Sequence, residues 1–148
     1  MRDLLVGLYR QNYQDKQPSS DVKVVRVLAP NADAVLRFVE EKFTKGWASE
    51  IKAALYKTTP TIYAAFYENK VVGFAAYDAT AKGYFGPIGV DETLRGKNIG
   101  KSLLMHALES MYNDGYSYAI IGGVSEKVTP FYQKTCGAIV IDFEGNAY

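Results

Sequence analysis

The residues best suited to chemistry stand together in one run, GPIGVDETLRGKNIGKS, residues 86–102. Gly96 and Gly100 flank a basic turn where an apolar stretch gives way to a helical pattern. Glycines let backbone N–H groups converge on one point without side-chain obstruction. A helix start leaves several such groups unpaired and adds the positive end of its dipole. Arg95, Lys97 and Lys101 add cationic charge around the same point. Those features together make an anion site suited to a pyrophosphate.

Spacing excludes two familiar phosphate motifs. Gly100-Lys101-Ser102 ends like a P-loop, but that loop needs a glycine five residues before Gly100, where Arg95 stands. No convincing Mg²⁺-binding strand follows, which counts against nucleotide hydrolysis. The G-x-G-x-x-G fingerprint of dinucleotide folds is absent as well.

The elements that must position this turn can be read from periodicity. Asn98 to Asp114 predicts a helix, with Ile99, Leu103, Leu104, Ala107, Leu108 and Met111 on its inner side. Gly83 to Val90 reads as a strand entering the turn, with Gly86-Pro87 and Gly89 marking a bulge or a close approach by another backbone. A hairpin precedes it, Thr61 to Tyr67 and Val71 to Tyr77 about Glu68-Asn69-Lys70. After the helix come a strand at Tyr118 to Ile121, a helix at Glu126 to Lys134 and a strand at Ala138 to Phe143. Upstream, Val22 to Leu28 predicts a strand. It is followed by a helix that stops at Gly46 and a second from about Ala48 that ends before Pro60. Leu4, Leu5 and Leu8 suggest a short helix in an N-terminal arm, residues 1–21, outside a single domain over 22–148. The order βααβββαβαβ predicts a mixed α/β fold: a mostly antiparallel sheet with one parallel βαβ pair.

With 148 residues, one core can sustain the chain without staples. Lys plus Arg is 17 against 16 for Asp plus Glu, so no extended positive field invites a nucleic acid or a membrane surface. Cys136 is the sole cysteine, which excludes an intramolecular disulfide and fits a reducing compartment. The apolar stretch at Leu4 to Leu8 is too short for a signal core or a membrane span, so the expected location is the cytoplasm. His106 has no Asp, Glu or His at ligand spacing, and no metal site is expected.

The run from Val90 to Leu104 resembles the phosphate loop of the GNAT superfamily of CoA-dependent N-acyltransferases. Phe131-Tyr132-Gln133-Lys134, followed by Gly137-Ala138, is similar to that family's fourth-helix motif and the strand after it. With the element order, the likeness runs from about Val22 to Phe143. Asn98 stands where the loop has its first glycine, and Asn tolerates left-handed backbone better than most residues. Ser125 stands where an asparagine is often found. The chain ends soon after Phe143, where the family usually has a further strand. Its place is left to terminal residues, to the N-terminal arm or to a second subunit in a homodimer.

The resemblance implies an N-acetyltransferase in which a primary amine attacks acetyl-CoA directly in a ternary complex. The phosphates would be held by Arg95, Gly96, Lys97, Asn98, Ile99, Gly100, Lys101 and Ser102, and Ser125 would be a further contact to the cofactor. The pantetheine arm would lie along Ile88, Gly89 and Val90, with the Val90 N–H as an oxyanion donor. Tyr132 would protonate the departing sulfur, a sensible pairing for a phenol and a thiolate. Trp47, Glu50, Tyr77 and Tyr84 would wall the pocket of the acceptor, a small molecule or a peptide amine. The strand 84–90 carries no carboxylate, and the base is left unassigned, with Glu50 and Asp78 able to act through water or to serve as surface or cap residues. The residues leave a second reading open, a non-catalytic acyl-CoA sensor.

Overall fold

The computed structural model describes residues 1–94 and 96–141. Seven strands and four helices follow in chain order: β1 (Arg2–Gly7), β2 (Val22–Arg26), α1 (Ala32–Lys42), α2 (Lys45–Leu55), β3 (Ile62–Tyr67), β4 (Lys70–Tyr77), β5 (Phe85–Val90), α3 (Ile99–Asn113), β6 (Tyr118–Val124), α4 (Thr129–Cys136) and β7 (Ile139–Ile141). The fold is mixed α/β, as the sequence pattern predicts.

Strands β2, β3, β4 and β5 are neighbours in that order, and every pair is antiparallel. The β3–β4 hairpin closes on a two-residue turn, with Glu68 and Asn69 both at positive φ (50° and 64°), the twist that matches right-handed strands. Residues alternate between the two faces of this sheet. Ile62, Ala64, Phe74 and Ala76 pack beneath α1 and α2, while Ala65, Val72, Ala75 and Tyr77 belong to the core cluster that contains α3. The sheet is thus covered on both sides, which explains the nearly unbroken apolar run of β4.

The second sheet has the order β6-β1-β7, with β1 antiparallel to both neighbours. This corrects the expected N-terminal helix and arm. The spacing Leu4, Leu5, Leu8 suits a helix, but Leu4, Val6 and Leu8 also alternate at period two, and all three are 0% exposed. Pairing on both edges decides between the patterns, and that information lies over 110 residues away in β6 and β7. The N-terminal residues therefore complete this sheet.

Between the sheets, β5 and β6 run parallel and are bridged just before β5 begins. Tyr84 bridges Ile120, and the Ile120 N–H donates to the Gly83 carbonyl at 3.0 Å. Beyond that point they diverge into a cleft.

Two helix boundaries differ from expectation. The break between α1 and α2 falls at Phe43-Thr44, and Gly46 lies inside α2, because the Thr44 hydroxyl caps that helix by accepting from the Trp47 N–H at 3.1 Å. Trp47 is consequently a first-turn residue rather than one beyond a helix end. Helix α4 starts at Thr129, later than the expected Glu126, with Pro130 in its first turn, and closes on left-handed Gly137. Of the strand expected over Ala138 to Phe143, residues 142–143 lie outside the described residues.

Candidate active site

Three cavities line up along the β5–β6 cleft. The first, about 470 Å³, lies between Trp47 and Glu50 of α2, residues Tyr84–Ile88, the end of β6 and Tyr132. The second, about 290 Å³, follows Ile88–Glu92 past Gly100 and is closed by Val128, Phe131 and Tyr132. The third, about 710 Å³, lies at the start of α3 between Leu94, Gly96, Asn98–Lys101 and the α4 residues Phe131, Lys134 and Thr135. Ile88, Val128 and Tyr132 line both of the first two, and Val90, Gly100 and Phe131 line both of the last two. The result is one cleft with a wide end, a narrow middle and a basic end.

The narrow middle is shaped by backbone. The Asp91 N–H donates to the Val72 carbonyl at 2.8 Å, which makes Gly73–Val90 a non-hydrogen-bonded pair of the antiparallel ladder. The N–H and C=O of Val90, and by the same alternation those of Ile88, turn away from β4 toward the cleft. Gly89 lies between them against the Phe43 ring, where an added Cβ would come within 2.5 Å of Cζ. Only glycine allows that approach. The ladder shifts register between Ala75 and Tyr77, opposite the Gly86-Pro87 step, and Gly86 has a φ of 121°. This is the bulge read from the sequence.

At the basic end Asn98 adopts the left-handed conformation, φ 60° and ψ 28°, so the residue that replaces a glycine keeps the glycine-like turn. The first helical bond of α3 runs from the Ser102 N–H to the Asn98 carbonyl. The amides of Ile99, Gly100 and Lys101 thus have no intrahelical acceptor and sit at the positive end of a 15-residue helix. Their residues line the third cavity.

The lysines of the turn differ. Lys101 lines the cavity while its Nζ donates to Asp15 Oδ2 at 2.8 Å. Lys97 does not line it: its Nζ donates to Asp21 Oδ2 at 2.6 Å and lies 4.9 Å from the Tyr67 ring centroid. Asp21 holds the Lys97 ammonium above the usual lysine range. The segment carrying both carboxylates is fastened further by Ser19 N–H to Lys97 O and by Asn98 Nδ2 to Gln17 O.

Tyr132 sits where the first two cavities join. It is 5% exposed, its ring set edge-on to Phe85 and Phe131. Burial raises its pKa well above the ordinary phenol value, so it keeps its proton at neutral pH. Cys136, one turn on, donates its thiol to the Tyr132 carbonyl at 3.2 Å, and burial pushes that thiol up to about 12. It is a packing residue.

Of the other residues singled out from the sequence, Trp47, Glu50, Tyr84 and Ser125 line the wide end, and Gly96, Asn98, Ile99, Gly100 and Lys101 the basic end. Ser125 therefore stands at the wide end of the cleft, away from the basic turn. Ser102 is 0% exposed, with its hydroxyl turned to His106, which removes it from the cavity wall. Tyr77 is 1% exposed on the α3 side, bonded to Arg26 Nη1 and Asp114 Oδ2, and is no part of the acceptor wall. Asp78 lines none of the three cavities, and its carboxylate accepts from the Gly83 N–H and the Tyr116 hydroxyl. Arg95 lies outside the described residues. His106 packs on Tyr63 and turns Nδ1 to the Ser102 carbonyl, with its pKa lowered by burial.

Sequence reasoning missed Lys134 and Thr135 as walls of the basic end, and Thr80 and Pro87 of the wide end. Lys134 and Phe131 stand three residues apart on one helix face, which was a usable signal. Thr80 offered none. Among the described residues, no group of three or more His, Cys, Asp or Glu side chains could hold a metal ion, and no helix is long and apolar enough to cross a membrane.

The acetyltransferase (GNAT) family matches residues 31–138, and the chain belongs to that family. No curated protein matches. Among solved structures it is similar to a GCN5-related N-acetyltransferase from Sphaerobacter thermophilus, with 21% identity and a TM-score of 0.74 over 95% of this chain and 48% of that one. A GCN5-related N-acetyltransferase from Kribbella flavida is 15% identical, with a TM-score of 0.68 over 94% of this chain and 53% of that one. A GNAT family N-acetyltransferase from Escherichia coli, solved in complex with CoA, is 19% identical, with a TM-score of 0.53 over 68% and 61%. The chain spans about half the length of the first two. At these identities the likeness concerns the fold.

Proposed function

We propose that the chain is an N-acetyltransferase that moves the acetyl group of acetyl-CoA to a primary amine within a ternary complex. The observation that carries this reading is the continuous cleft, with amides aimed into its middle, an anion site at one end and Tyr132 at the junction with the other. CoA has the matching order of parts. Its pyrophosphate meets the amides of Ile99, Gly100 and Lys101, with Lys101 and Lys134 adding charge. Its pantetheine amides pair with the backbone of Ile88 and Val90 as an added strand would. The thioester then lies beside Tyr132.

The amine enters from the wide end and attacks in its neutral form, after its ammonium has lost a proton to solvent. Its lone pair forms the C–N bond on the thioester carbon while the Val90 N–H supports the oxyanion; losing such a donor typically costs about 3 kcal/mol of barrier. The C–S bond breaks with its electron pair on sulfur, and Tyr132 delivers its proton there. The surplus proton on nitrogen leaves through solvent and restores the phenol. The products are the acetamide and CoA thiol.

The test is an acetyl-CoA turnover assay over a panel of amines, run beside calorimetric titration with CoA. Tight CoA binding with amine-dependent thiol release supports the reading. Binding without turnover on any amine favours a sensor, and no binding overturns both.

A further inference from the structure

The wide end of the cleft has an uneven distribution of charge. Glu50 contributes the one charged side chain among the described residues that line it. The rest of the wall is largely apolar, with Trp47, Tyr84, Pro87, Ile121 and Val128 facing the same space. Trp47 is braced behind by Phe43 and Phe74, ring centroids 5.4 Å and 6.0 Å away, so this wall is rigid. Glu50 is half-buried, and Thr80 Oγ1 donates to its Oε1 at 2.7 Å. That bond occupies one oxygen and fixes the rotamer, so the carboxylate is held in place rather than swinging into solvent.

A cavity with one anchored carboxylate and aromatic sides suits one cationic group on a compact apolar body. Further ammonium groups, as on a polyamine or an aminoglycoside, would enter without a counter-charge and pay for desolvation. An α-amino acid would bring a carboxylate toward Glu50 with no basic side chain to receive it. We infer that the acceptor is a compact primary monoamine with an aryl or branched alkyl body. Glu50, positioned by Thr80, captures its ammonium group before one proton is lost and the nitrogen turns to the thioester. The inference rests on the proposed acetyl transfer and names the class of acceptor.

The experiment compares 2-phenylethylamine, spermidine, kanamycin and phenylalanine as acceptors with saturating acetyl-CoA, on the wild-type chain and on Glu50→Gln. Glutamine can still accept from Thr80, so the variant removes charge while keeping the local bond. The expected result is preference for 2-phenylethylamine, and in Glu50→Gln a rise of about 10–100-fold in its KM, the loss expected for a charge-assisted contact. The KM for acetyl-CoA and the melting temperature should stay unchanged. Thr80→Val should raise the same KM by a smaller factor. Preference for spermidine, kanamycin or phenylalanine, or an unchanged amine KM in Glu50→Gln, would overturn the inference while leaving acetyl transfer intact. Turnover of none of the four with CoA still bound would overturn the inference together with acetyl transfer to amines. Failure of CoA to bind would overturn the proposed cofactor site itself.

Discussion

The basic end of the cleft is made by one stretch of chain, Leu94 to Lys101, with a face of α4 laid beside it. The wide end draws on Met1, residues 47–50, 80–88 and 121–128 and Tyr132, parts of the chain joined only by the fold. Recognition at the first end depends on backbone, on amides that any residue would supply once glycine and asparagine permit the turn. Recognition at the second depends on side chains. A region built from backbone can keep its ligand while its sequence drifts, whereas one built from side chains changes its ligand with a few substitutions. On the proposed reading, the donor half of the reaction is a property of the fold, and the acceptor half is particular to this chain.

Tyr132 stands where the wide end meets the middle of the cleft, beside the place proposed for the thioester, so its removal should produce the largest effect. Tyr132→Phe should lower kcat about 100-fold, the usual scale for losing a general acid, with the KM for acetyl-CoA held within about twofold. The raised pKa of the phenol means the protonated donor persists as pH rises, so wild-type kcat should show no alkaline loss from this group through about pH 9. Stopped-flow or thiol-release kinetics would check both. Unchanged turnover in the phenylalanine variant would remove Tyr132 from the mechanism.

The middle of the cleft can be broken by a single methyl group. In Gly89→Ala the new Cβ meets the Phe43 ring at 2.5 Å, and the ring is hemmed in by Phe38, Trp47 and Phe74. Overpacking of this kind costs about 1–3 kcal/mol, visible as a lower melting temperature, and it should weaken CoA binding as β5 shifts. The double variant with Phe43→Ala should recover part of the cleft geometry and hence part of the CoA affinity. A Gly89→Ala protein as stable and as active as wild type would contradict the account of β5.

Smaller effects separate the lysines at the basic end. Lys101→Ala should weaken CoA about 3–10-fold, since Lys101 lines the cavity at the basic end. Asp15→Asn should tighten CoA by about twofold, by releasing Lys101 from its carboxylate. Lys97→Ala should alter CoA affinity by less than about twofold, because Lys97 is engaged with Asp21 outside the cavity. Equal losses from the two lysine variants would erase the distinction drawn between them.

The same contrast decides what could be read from the sequence. The conformation of the basic turn was legible because its signals are local: a strand, two glycines, an asparagine that tolerates positive φ, and a helix with clear periodicity. The fourth-helix tyrosine was legible through its neighbours, Phe131 and Gly137. The wall of the wide end was only half legible. Trp47, Glu50 and Tyr84 line it, yet Tyr77 points to the opposite face of its sheet, because the alternation along β4 sends it toward α3. The N-terminal strand was the largest miss, since Leu4, Leu5 and Leu8 fit a helix until β6 and β7 supply partners. Ser102 was misread because the helix start faces the cavity for one turn only, and the fourth residue already points inward.

The central claim is that CoA lies along β5 with its phosphates on the start of α3. Titration of the ¹⁵N-labelled chain with CoA, followed by amide resonances, tests it most directly. The predicted result is saturable shifts concentrated at Ile88, Val90, Gly96, Ile99, Gly100 and Lys101, with β2 and β3 undisturbed. Saturable binding with shifts elsewhere, or no shift at millimolar CoA, would contradict it.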